Sequence, residues 1–351
     1  MRAELFAKDA SSLVASSRFL YATGARGINL PNKASATSAP DLAPTAALRT
    51  LAKALTPGQM TEVCPHYSIK FNSAGANSAA TLSRFEDFCQ EAARLRVRQC
   101  LLVSGSGSRK FSTVELLQAL KLPGSRPEIG VAFNPFYPDH TQRQRERERL
   151  CLKLGTGAVS SVWLQIGSDV SLLTEALEFI ESVKRERQLP HLRLYGSVFL
   201  PSRKLLAQIK FRPWNGVFLS EGYLSSVEAA EVITRQLVTT YHAHGVELLL
   251  ESSISKPEDW ATAVRLCAPS PAGLATPQDL LLQKTPAAPA VSRQTFPARF
   301  PADSVPANPS DAAFVDPAAS SSPAAALRCD AEAGGSEPPI TKKPRQADMC
   351  V

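Results

Sequence analysis

The chain lacks the spacings that announce the commoner chemistries. Its seven cysteines, Cys64, Cys89, Cys100, Cys151, Cys267, Cys329 and Cys350, include no CxxC pair, so neither a zinc site nor a disulfide framework is expected, and no other metal. Such scattered thiols fit a reducing compartment, the cytoplasm ahead of the mitochondrion or nucleus. No apolar run approaches the roughly 20 residues that span a bilayer, and no charged-apolar-small leader opens the sequence. Arg2, Arg18 and Arg26 stand among serines and alanines as in a transit peptide, but Glu4 and Asp9 weaken that reading. Aromatics make up 7% and do not alternate with Lys and Arg, which argues against nucleic acid as a partner; the net charge of +7 reads as solubility with mild attraction for anions. No strand-helix turn carries a dinucleotide glycine fingerprint, so a doubly wound nucleotide-binding sheet is the weaker architecture. No nucleophile-base pair stands out, and the catalytic residues stay unassigned.

What the sequence does have is a cadence. Across residues 26–251, short apolar runs alternate with amphipathic helical stretches, in a chain of 351 residues whose 44% hydrophobic content supports a large core. Strand-helix repeats with short connections favour a parallel sheet, and at this size an α/β fold closed as a (β/α)8 TIM-type barrel is the expected solution. The strand candidates are residues 27–30, 61–69, 99–104, 129–134, 161–166, 192–199, 216–219 and 246–250. Most are apolar without alternation, as strands buried on both faces are. Before Arg26 lies a helical stretch, residues 10–22, with no convincing strand ahead of it. Either the barrel lacks its opening strand, or residues 216–219 complete the eight. The expected organisation is an N-terminal helical segment over residues 1–23, a barrel over 24–266, and a disordered Pro/Ala/Ser-rich tail over 267–351, whose composition cannot offset its ordering entropy. Lys342, Lys343 and Arg345 in that tail form a solvated cluster or, less simply, an import signal. Leu173, Leu177 and Ile180 mark one helix after a Ser168-Asp169 cap, and Ala230, Ile233 and Leu237 another after a capping box at Ser225 and Glu228. The alternating charges of residues 143–149 mark a solvated helix face.

In a barrel, chemistry gathers where the strands end. Residues 61–72 run from an apolar strand into His66, Tyr67, Ser68, Lys70 and Asn72. His66 could donate to a ligand oxygen and Lys70 meet a negative group; a histidine satisfied by a neighbouring carbonyl is the plainer alternative. Ser104, Gly105 and Ser106, with Arg109 and Lys110, could bring backbone N–H groups and countercharge to a phosphate, or could be a turn. Asn134, Tyr137 and Asp139 lie on a loop stiffened by Pro135 and Pro138, suited to a ribose or adenine and equally to ordinary turn chemistry. Gln165 closes an apolar strand, where either a ligand with paired donors and acceptors or exposure at the mouth would satisfy it.

Taken in order, these motifs resemble the flavin-dependent methylenetetrahydrofolate reductase family over roughly residues 24–253. Pro65-His66 resembles the family's proline-histidine at the flavin. Ser104-Gly105-Ser106 falls at its arginine-glycine-aspartate turn. The strand at residues 129–132, with Pro135 and Tyr137-Pro138-Asp139, resembles its strand and proline-histidine-proline-acid loop. Residues 150–158 resemble its lysine-bearing helix and glycine-alanine junction. The resemblance implies FAD as cofactor, held by His66, Gly105, Ser106, Asn134, Tyr137, Glu146 and Lys153. It also implies NAD(P)H as hydride donor, and a folate-like small molecule met by Gln165. Departures are Ser106 for the turn's aspartate, Ser104 for its arginine, Asn134 for a tyrosine and Tyr137 for a histidine. The family's opening glutamate-phenylalanine-phenylalanine-proline-proline strand, whose glutamate protonates the folate, has no expected counterpart. The rival expectation is therefore a catalytically inactive barrel serving as a binding or regulatory module. A membrane partner is not expected, and self-association as a homo-oligomer stays open.

Overall fold

Eight parallel strands close on themselves in sequence order: β1 Arg2–Glu4, β2 Gly27–Leu30, β3 Val63–Ser68, β4 Gln99–Val103, β5 Glu128–Phe133, β6 Val159–Leu164, β7 Arg193–Val198 and β8 Glu247–Leu250. The structure is a computed structural model that describes residues 1–32, 39–74, 77–105, 111–120 and 126–269. Nearly all of the tail, the centre of the loop after β2, and Ser106, Arg109 and Lys110 lie outside the described residues.

The expectation of a missing opening strand is overturned. β1 pairs with β2 on one side, Arg2 opposite Gly27 and Glu4 opposite Asn29, and with β8 on the other, Arg2 opposite Leu249 and Ala3 opposite Leu250. Its signal is weak because it is three residues long and two of them are charged. Residues 216–219 do not form one of the eight strands. They follow the helix Arg203–Phe211, and Phe218 makes a single parallel bridge to Gly167 beyond the end of β6. Their apolar character has another cause: Val217 packs with Ile166, Phe199 and Ile209 in a small cluster of its own.

The helices form where the sequence caps them. Asp9 and Ser12 close a reciprocal capping box that starts the helix Ala10–Ala22. Asp169 caps Val170–Glu186 through the Leu172 N–H. The helix Val227–Ala243 is capped by Ser226, which accepts from the Ala229 N–H, one residue later than the box expected at Ser225. The charge-alternating stretch lies in the helix His140–Gly155. The main core lies between strands and helices, where Leu48, Phe85, Leu116, Leu150, Leu177 and Leu237 are buried against the outward strand faces. No helix among the described residues is long and apolar enough to cross a membrane.

Candidate functional site

Because side chains alternate along a strand, one set of residues fills the barrel while its neighbours face the helices. The inward set is identified by a separate apolar cluster of Cys64, Leu101, Trp163, Tyr195 and Leu249, one from each of five strands. Trp163 stacks on Tyr195 with centroids 3.8 Å apart and planes 11° from parallel. The Arg2 guanidinium lies 6.0 Å from each of those two rings. Together these side chains make a packed floor. Burial pushes the Cys64 thiol up to about 12, with Arg2 and Arg193 pulling the other way, so the floor holds a thiol at neutral pH and not a nucleophile.

Two residues further along, on six of the eight strands, the same face carries a polar residue, while β4 and β5 continue with Val103 and Ala132. Arg2 is followed by Glu4, Gly27 by Asn29, Cys64 by His66, Trp163 by Gln165, Tyr195 by Ser197 and Leu249 by Glu251. This is the carboxyl end of every strand, the mouth of a parallel barrel. Glu4 and Asn29 are buried at 7% and 0% exposure. A cleft of about 270 Å³ opens beside Glu4, bounded by Phe6, Phe19, Leu20, Ser253 and Ile254.

Arg2, 1% exposed, organises one side of this region. It donates through Nε to Asn29 Oδ1 at 3.0 Å, through Nη2 to the Glu62 and Ile28 carbonyls at 2.6 and 3.3 Å, and through Nη1 to the Glu62 carboxylate at 3.3 Å. Asn29 Nδ2 in turn lies 3.1 Å from His66 Nε2. Above His66, the Ser68 hydroxyl is buried and has no hydrogen-bond partner among the described residues. Asn32 accepts from the Ser68 N–H at 3.2 Å and from Asn72 Nδ2 at 2.6 Å, pinning the helical turn Ile69–Asn72 that carries Lys70. Gly105 follows β4 with φ +79°; a β-carbon there would lie 2.6 Å from the Lys70 Cβ and 2.9 Å from the Ser68 Oγ. Packing alone therefore requires glycine at this position.

A second group forms over β5 and β6. Asn134 donates to the Gly216 carbonyl at 2.9 Å and accepts from the Phe136 N–H at 3.1 Å. Gln165 accepts from the Ile166 N–H at 3.0 Å. A β-carbon on Gly216 would stand 3.9 Å from the Asn134 amide nitrogen and 4.0 Å from that of Gln165, so both amides flank this segment. Tyr137 and Phe218 rings lie 5.2 Å apart. Glu146, 8% exposed, pairs with Arg149 and accepts from the Asn134 N–H at 3.3 Å. Lys153, 9% exposed, donates to the Ala132 carbonyl at 2.9 Å. Glu146 and Lys153 thus bind the end of β5 to its helix.

The structure accordingly places His66, Ser68, Lys70 and Gly105 together on the β3–β4 side, and Asn134, Tyr137, Glu146, Lys153 and Gln165 together on the β5–β6 side. Ser106 lies outside the described residues. Sequence reasoning missed Glu4, Asn29 and Glu251. The expectation that no glutamate-bearing opening segment exists fails, since Glu4 ends β1 and Leu5 and Phe6 follow it. One signal could have found it: a capping box at Asp9 fixes a helix start, and a barrel helix has a strand before it. Among the described residues, no group of three or more His, Cys, Asp or Glu is placed to hold a metal ion.

No protein-family model matches the chain, and no curated protein matches it in sequence. Among solved structures it is similar to an uncharacterized protein from Clostridium thermocellum described as binding two copies of 5-methyl-5,6,7,8-tetrahydrofolic acid. The TM-score is 0.48 and the identity 10%, over 76% of this chain and 92% of that one. The functional reading rests on the residues of this chain.

Proposed function

We propose that the mouth of this barrel binds FAD and a folate-like acceptor, and that the protein is an oxidoreductase resembling methylenetetrahydrofolate reductase with NAD(P)H as hydride donor. One observation carries the reading: above the packed floor the interior carries polar residues at the carboxyl ends of neighbouring strands, with Glu4, Asn29 and His66 side by side on β1, β2 and β3, and Gln165 just past the end of β6, which the strand order sets away from those three. A flat ring with carbonyl oxygens and ring nitrogens suits that donor set. Ser68 Oγ, buried and unpartnered among the described residues, is the kind of polar atom a ligand satisfies. The fit is therefore to the ring portion of a flavin, with His66 and Ser68 as its contacts and Gln165 offering an amide to a pterin edge.

When bound, the flavin supplies two-electron transfer between nicotinamide and acceptor. The chain's own residues supply the rest. Glu4 stands at the end of the opening strand, where the family carries its acid, and is the residue to deliver a proton to a folate nitrogen. The packed floor beneath excludes water from the deep side of the mouth.

Titrating purified protein with FAD should give a bound flavin absorbance band and NAD(P)H oxidation with menadione as acceptor. A protein that takes up no FAD defeats the proposal. Glu4→Gln should keep the menadione rate and lower folate reduction by about 100-fold to 10,000-fold, the usual cost of losing a positioned acid. The rival reading, a barrel that binds without turnover, is favoured by the engagement of Glu146 and Lys153 in the wall. Bound flavin with no menadione rate would establish it.

A further inference from the structure

We propose that His66 is held as the neutral tautomer with its proton on Nδ1, by a buried chain running from Arg2 through Asn29. Arg2 has donors and no acceptor. Its Nε lies 3.0 Å from Asn29 Oδ1, and this fixes the orientation of the Asn29 amide. Turning that amide over would set an NH2 group against a guanidinium in a place where Asn29 is 0% exposed. With the oxygen committed to Arg2, the group 3.1 Å from His66 Nε2 is the Asn29 NH2, again only a donor. Nε2 must therefore accept, and the single proton of the neutral ring resides on Nδ1. A doubly protonated ring would oppose N–H to N–H at the same contact.

The tautomer follows from the protein alone. Its consequence for a ligand rests on the function proposed above: His66 would act on a ligand as a donor through Nδ1, to a carbonyl oxygen or an unprotonated ring nitrogen, and not as a proton source from Nε2. Arg2 and Asn29 are positioning residues, acting through His66.

The test is a long-range ¹H–¹⁵N spectrum of uniformly labelled, ligand-free full-length protein, with the His66 signals assigned by their loss in His66→Gln. The expected result is a pyridine-type Nε2 and a pyrrole-type Nδ1 at neutral pH. Asn29→Asp replaces the donor with a second acceptor and should move the proton to Nε2, exchanging the two signal types. A wild-type spectrum showing Nε2–H overturns the proposal, as does an Asn29→Asp variant that folds and leaves the signals unchanged. If that variant does not fold, the wild-type spectrum decides. Failure to bind FAD would defeat the function and leave this result standing.

Discussion

A β-carbon on Gly130 would sit 2.3 Å from Trp163 Nε1 and 2.7 Å from Ser161 Oγ, two atoms that already hydrogen-bond each other at 3.0 Å. Gly130→Ala should therefore cost about 1–3 kcal/mol, the usual penalty for overpacking, seen as a lower urea midpoint with the slope unchanged. Arg2→Met should cost on the order of 3 kcal/mol, because it leaves Asn29 and the Glu62 carbonyl without their donor in a dry interior. Glu62 is 33% exposed and can recover water, which limits the loss. Calorimetric unfolding would read it. At this scale the sequence exposed the inward residues whose strands are apolar: His66 and Gln165 stand out against Cys64 and Trp163. Asn29 was concealed, since an asparagine between Ile28 and Leu30 gives no hint of the arginine it meets from another strand.

Between elements, charge does less than packing but leaves a measurable mark. Glu91, on the helix Ser78–Arg94, accepts from Arg94 of its own helix at 2.7 Å and from Arg49 of the helix Pro44–Ala52 at 2.6 Å. Those hydrogen bonds, Arg94 first, hold its carboxyl down to about 2 from an ordinary 4.5. A depressed carboxylate stabilises the fold above its unfolded pKa, and the benefit disappears as pH falls from about 4.5 toward about 2. Both arginines are largely exposed, so about 1 kcal/mol or less is at stake. Glu91→Gln should flatten that acid limb of a stability-against-pH curve while leaving the neutral region nearly unchanged. Element type was legible where period and composition agreed, as in the helices Ala10–Ala22 and Val170–Glu186. β1 was not, because its charged residues point inward and its small apolar residue outward, the reverse of what a core-seeking pattern leads one to look for. Residues 216–219 misled for the complementary reason: an apolar run that packs on a satellite cluster reads like a strand without pairing as one.

For the whole molecule, closure through β1 leaves no strand of the barrel unpaired on either side, and so no edge for another chain to extend. Deleting residues 1–5 should open the barrel between β2 and β8, giving loss of near-ultraviolet circular dichroism and concentration-dependent aggregation. Light scattering during a thermal ramp would check the second. The parallel barrel was legible from the strand-helix cadence alone, since that pattern has few packing solutions. The mouth was legible only in halves, because register and tilt, which no run of sequence prints, decide which strand ends become neighbours.

β1 has partners at opposite ends of the sequence, one nearby and the other, β8, at almost the full remove of the barrel. Contacts of such long separation form slowly, so β1 must wait for the final strand before its place in the barrel is complete. Until it arrives, Arg2 lacks its cover on the β8 side, and the chain from Arg2 through Asn29 to His66 stands open to water. A ribosome-bound chain would hold most of the wall yet carry an imidazole for which water competes with Asn29.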